Sequence, residues 1–498
     1  MKKLYVLLIF GISVPVLLIS FKPERPSRPE TSQYLVIAWN DLGMHCANLD
    51  FSNMCILPPY NNQKAHVLLK GDVSNLPTVM PHSSGIYVTY EIPGNTYSAG
   101  KTNFWTYVQH LFGVNPAPNI GLTGNGLTGN MQNADTINYH YATGIPITAF
   151  QDATPTTSTP YQLTLIKAYA SGGSQIASTQ SVIPISHEIS CVGSGCHSSE
   201  MAILQAHESV SGFNIANKPI LCAQCHADNA LGTTGTAGTP PFSQAIHQKH
   251  GAFINTGTIA DCYKCHPGPN TQCWRDTMHS AGVAGGNVSK CQDCHGSVAN
   301  VGNTIANGRN PWLQEPSCGA TACHGPNYAE EQGKLFRQSK GHGGLYCSTC
   351  HSSPHSILPS ERPEDNVQNI ALQGFAGTLK TCSVCHGYTP AAPGPHGFNP
   401  LGIKPVSSII PSDNQLLPNY PNPSTFMTNI PYHINTPGNV KIDIIDVFGK
   451  HIVSLVNNFL QAGEYKAEFY TSKVMAGTYI CELYTNGKTD FRKIIVIN

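Results

Sequence analysis

Apolar positions along the chain fall into three regimes. Over residues 31–186 they form short runs, alternating or fully apolar: Tyr34–Trp39, 65–69, 86–92 and 161–170. Turns rich in Gly, Asn and Pro, such as 121–129, separate them. A period of two between such turns predicts strands, and so an N-terminal all-β domain of antiparallel, sandwich-like build. Over 187–400 the runs vanish and apolar residues thin out, which predicts loops and short helices. Strand signals return from 416 to 498, at 440–445, 465–470, 478–484 and 492–497, punctuated by Gly449, Gly463, Gly477 and Gly487. They predict a C-terminal β-sandwich of about seven strands. Residues 401–415, with Pro405 and Pro411, read as a linker.

The first 30 residues stand apart. Lys2 and Lys3 precede an apolar stretch over 4–20, and a polar, Pro-rich leader covers 21–30. This is the pattern of an export signal. A retained anchor is the alternative, because the apolar run is close to the shortest that spans a bilayer.

Composition narrows the classes. The 498 residues carry 28 basic and 28 acidic side chains, and only 11% of positions are charged. Neither a nucleic-acid surface nor an acidic tail fits that balance. The chain holds 18 Cys and 22 His, and so many cysteines require disulfides, metal sites or covalent cofactors.

Their spacing decides. Five segments read Cys-x-x-Cys-His: Cys222, Cys225 and His226; Cys262, Cys265 and His266; Cys291, Cys294 and His295; Cys347, Cys350 and His351; Cys382, Cys385 and His386. This is the heme c attachment pattern, in which two thiols add to the porphyrin and the adjacent His ligates iron. Zinc sites also use Cys-x-x-Cys but do not need His at the next position. With His at 22 of 498 positions, five in five by chance is on the order of one in ten million.

Two further segments place four residues between the cysteines: Cys191, Cys196 and His197, then Cys318, Cys323 and His324. Both fall into the same series and end in His, so seven hemes are expected. The longer spacer also occurs in low-potential multiheme cytochromes, which this region resembles. Seven porphyrins would supply the apolar mass that the side chains lack.

Each iron needs a sixth ligand. The candidates are His187, His207, His247, His250, His279, His342, His355 and His396, one more than seven irons need. His247 and His250 lie three apart, so one of them is the expected spare. His187 is expected to serve a heme other than its nearest. Met, the rival ligand, occurs in this region only as Met201 and Met278. Bis-His iron has no open site, which favours an electron carrier over an enzyme.

Four cysteines remain. Cys46 and Cys55 suit a disulfide or two free thiols, whereas Cys273 and Cys481 read as buried apolar residues. The segment Trp39-Asn40-Asp41-Leu42-Gly43-Met44-His45-Cys46 is rich in functional residue types. His45 reads either as a heme or pocket residue or as part of a packed loop.

The C-terminal region resembles the type IX secretion (Por) sorting domain. The resemblance rests on Asn419-Tyr420-Pro421-Asn422-Pro423, on Ile444-Ile445-Asp446-Val447-Phe448-Gly449-Lys450, on Ala462-Gly463, on Ala476-Gly477-Thr478-Tyr479 and on the terminal strand 493–497. It implies export, engagement of the type IX machinery, and a place at the outer-membrane surface or outside the cell.

The expectation is therefore an exported heptaheme cytochrome. It would pass electrons between a redox protein donor and a surface or extracellular acceptor. It would touch membrane only through export or attachment. The alternatives are an oxidoreductase for a small nitrogen or sulfur oxyanion at one open heme, and an adhesive or filament-forming surface protein, with homo-oligomers left open.

Overall fold

The computed structural model describes residues 32–134, 138–189, 191–268, 270–278, 290–321, 324–328, 330–390, 394–397 and 414–497. The export signal, most of the linker, His279 and Cys323 lie outside them. The chain divides into two compact units, 1–402 and 403–498. It is mostly β, with short helices.

The first unit opens as two β-sheets sharing one core. In one sheet β1 (Tyr34–Trp39) pairs antiparallel with β2 (Gln63–Leu69), from Tyr34 opposite Leu69 to Trp39 opposite Lys64. In the other, β3 (Tyr87–Glu91) pairs with β4 (Tyr161–Tyr169), and β4 pairs with β5 (Gln175–Ser186). Val36, Ala38 and Val67 from the first sheet meet Val88, Ile166, Ala168 and Ile183 from the second. Each of the buried Val and Ile side chains contributes about 1.5–3 kcal/mol.

Two elements depart from the sequence pattern. Residues 104–112 (Phe-Trp-Thr-Tyr-Val-Gln-His-Leu-Phe) form helix α1 (Phe104–Phe112) inside the β-rich region. Phe104, Val108 and Leu111 fall on one helical face and bury it, with Phe51 and Cys55 in the same cluster. β5 gives little sequence signal because polar residues fill 178–181, yet it is central, with partners on both sides.

The Cys- and His-rich part of this unit has few buried apolar side chains and no strand longer than two residues among those described. Its longer elements are α2 (Phe242–His250), α3 (Val298–Ala306) and α4 (Pro363–Gln373). α2 and α3 pack closely at Gly302, where a Cβ would come within 2.7 Å of the Gln248 backbone. Only glycine permits that approach.

The second unit is a sandwich. β6 (Thr428–Ile434) pairs with β9 (Gly463–Phe469) in one sheet. The other sheet runs β8 (His451–Leu460), β7 (Gly438–Asp446), β10 (Gly477–Thr485), β11 (Lys488–Val496). With the short strand Gln415–Leu416 this makes the seven expected. Cys481 is fully buried in its core beside Ile442 and Ile444, as the sequence suggested.

Candidate functional site

Each of the five Cys-x-x-Cys-His segments lies on or against about one turn of helix: Cys222–Cys225, Ile259–Tyr263, Cys291–His295, Cys347–His351 and Ser383–His386. One turn brings residues three and four apart onto one face, so both thiols and the imidazole address the same space. The turn closes with the His N–H donating to the first Cys carbonyl: His226 to Cys222 at 3.0 Å, His266 to Cys262 at 2.9 Å and His386 to Cys382 at 2.9 Å.

The two long-spacer segments close on the same bond. His197 donates to the Cys191 carbonyl at 3.1 Å and His324 to that of Cys318 at 3.2 Å. Gly195, at φ 76°, supplies the left-handed residue that lets the first of these loops fold back.

The histidines meet in pairs. Ring centroids lie 6.1 Å apart for His197 and His250, 6.5 Å for His226 and His207, and 6.0 Å for His266 and His247. They lie 6.3 Å apart for His295 and His355, 6.1 Å for His351 and His396, and 5.9 Å for His386 and His342. Two imidazoles on opposite sides of one metal, with metal–nitrogen bonds of about 2 Å, have ring centres about 6 Å apart. Each pair joins a motif histidine to a histidine from elsewhere in the chain.

Hydrogen bonding sets the tautomers. Nδ1 lies 2.9 Å from the Ile203 carbonyl in His207, 2.8 Å from Pro240 in His226, 2.7 Å from Ser243 in His247 and 2.8 Å from Ile246 in His250. A carbonyl only accepts, so Nδ1 carries the proton and Nε2 keeps its lone pair for a metal. Burial pushes His351 down to about 4 and His355 to about 3, so both are neutral at pH 7. Among the described residues no three of His, Cys, Asp and Glu converge as a protein-only metal site requires. Paired imidazoles suit a metal whose other ligands come with it.

His247 and His250 are both paired, one helical turn apart on α2. His187 instead stacks on Phe150 at 5.2 Å, with Nδ1 3.1 Å from the Ala47 carbonyl. The partner of His324 is not among the described histidines; its ring neighbour there is Tyr328, at 6.3 Å.

The remaining candidates resolve into packing. His45 stacks on Tyr60 at 6.4 Å, with Nε2 3.4 Å from Asp41. Asn40 donates to Asn61 Oδ1 at 2.6 Å and to the Asn62 carbonyl at 2.7 Å, so this is a packed loop. Cys46 and Cys55 are both free thiols and do not form the disulfide that their types allowed. Cys273 is partly buried.

The C-terminal unit shows its sequence signals in place. Tyr420 pairs with Asn429 by reciprocal backbone bonds of 2.9 and 2.8 Å, and the Asn422 side chain grips the last strand at the Lys493 and Ile495 backbones. Residues 419–497 match the family described as the secretion system C-terminal sorting domain. The last unit is a type IX secretion sorting domain. No curated protein matches the chain. The sorting domain marks the protein for export through the type IX machinery to the cell surface or the extracellular space. Among the described residues no helix is long and apolar enough to cross a membrane.

Proposed function

We propose that the chain is an exported c-type cytochrome with seven covalently attached hemes, and that it carries electrons at or outside the cell surface. The observation that carries this reading is the set of six histidine pairs with ring centroids 5.9–6.5 Å apart. When bound, the hemes would supply one-electron iron centres. The cysteines would anchor each group, and at the six paired sites the motif histidine and its partner would hold the iron. Backbone carbonyls hold Nδ1–H and aim Nε2. At the six paired sites two histidines would leave the iron no position for a small substrate, which favours a carrier over an oxyanion reductase.

Expression in a host that attaches heme c, followed by a pyridine hemochrome assay and intact mass, tests the reading. Seven hemes per chain are expected. Five would remove the two long-spacer sites, and a colourless protein would overturn the proposal. Paramagnetic resonance should show low-spin iron; a strong high-spin signal would favour the reductase.

A further inference from the structure

β1 and β2 of the first unit are built against two of the sites. β1 turns Val36 and Ala38 into the sandwich core and Leu35 and Ile37 to the opposite face, as a period of two requires. That face is covered: Leu35 is 5% exposed and Ile37 0%. With Leu68 of β2 they pack on Leu345, Leu379 and Val384, and against Cys350 and Cys385. These two are the second cysteines of the 347–351 and 382–386 sites.

Backbone bonds fix the contact. The Gly71 N–H, just after β2, donates to the Cys385 carbonyl at 2.9 Å, and the Leu379 N–H donates to the Cys350 carbonyl at 2.8 Å. Tyr346, next to Cys347, is buried against Trp39 at 5.7 Å and His66 at 5.8 Å. The two sites are also tied to each other. His342, just before Cys347, pairs with His386, while His396, just after His386, pairs with His351. The 222–226 site touches the β-rich half elsewhere: Ile220 and Leu221 pair with Met54 and Cys55, and Leu221 packs with Phe51 and Phe104.

We propose that β1 and β2 form an insulating wall for the 347–351 and 382–386 sites and raise their reduction potentials. The inference rests on the heme reading above. Ferric heme carries one more positive charge than ferrous, so replacing water with apolar side chains on one side disfavours the ferric form and raises the potential. The Lys70 ammonium near Cys385 acts in the same direction.

The test is a spectropotentiometric titration of the full holoprotein. His342→Met and His207→Met label the 382–386 and 222–226 midpoints respectively, because Met ligation raises the potential of the site that receives it. Ile37→Asn should lower the 382–386 midpoint while leaving 222–226 in place, and Leu68→Thr should do the same more weakly if Ile37→Asn does not load seven hemes. An unchanged 382–386 midpoint, or a shift shared by all sites, would overturn the wall with the heme reading intact. Absence of heme would instead overturn the heme reading.

Discussion

The rings of His342 and His386 face each other with centroids 5.9 Å apart, although a complete Cys-x-x-Cys-His motif lies between them in the chain. A local reading would give His342 to its neighbour at 347–351; the fold gives it to the next motif. His342→Ala and His386→Ala should therefore each disturb the same iron. Removing His342 should turn one low-spin heme high-spin, read by paramagnetic resonance, and leave the 351 site low-spin. A high-spin signal assigned to the 351 site would sink the pairing.

Among the described candidates for a sixth ligand, His187 is the one whose ring meets no motif histidine. His187→Ala should leave the number of low-spin hemes unchanged, whereas His250→Ala on α2 should convert one. The cost of His187→Ala should appear as stability alone. The stack on Phe150 and the bond to the Ala47 carbonyl are each worth about 1 kcal/mol. Conversion of a heme by His187→Ala would reverse the assignment.

These two cases mark the limit of what the sequence carried. The motif histidines were legible because their geometry is local: one helical turn sets it, and even the four-residue spacers close on the same bond. The partners of those histidines were not, because each comes from a distant segment placed by packing. The proximity of His247 and His250 suggested redundancy, whereas α2 sets each of them beside a different motif histidine. The C-terminal strands read well where apolar residues alternate. α1 was missed because Phe, Trp, Tyr and Val favour strands in isolation, and burial of one helical face overrode that preference.

Asp365 closes a buried ion pair with Arg275, at 2.6 Å from Nε and 2.7 Å from Nη2. Arg275 also donates to the Gly43 and Cys273 carbonyls, and its backbone N–H donates to the His355 carbonyl at 3.1 Å. Asp365→Asn would leave the guanidinium buried without a counter-charge, at a cost of about 3–5 kcal/mol. The urea midpoint should fall with an unchanged slope, and the iron served by His295 and His355 should gain high-spin character. A variant as stable as the parent would show that the pair does not hold this region.

Acid should weaken the first unit before it titrates most carboxylates. Burial pushes His66 and His140 from 6.5 down to about 4. Between those values the unfolded chain takes up protons that the fold refuses, so stability is full above pH 6.5 and declines as pH falls towards 4. Each residue contributes at most about 3 kcal/mol to that decline. Urea unfolding at pH 7 and pH 5 measures it, and His140→Gln should flatten the difference. Equal stability at the two pH values would contradict the assignment.

The sorting domain should be separable from heme loading, because the two units are compact in their own right. Ile444 is fully buried in the second unit, between β8 and β10. Ile444→Asp puts an unpaired charge in that core at a cost of several kcal/mol, enough to unfold a small sandwich. The variant should carry the same heme count per chain as the parent and yet fail to reach the surface. Protease added to intact cells should then spare it while degrading the parent. Deletion of 419–497 should give the same result. Surface exposure of either variant would mean that export of this chain does not depend on the folded C-terminal sandwich.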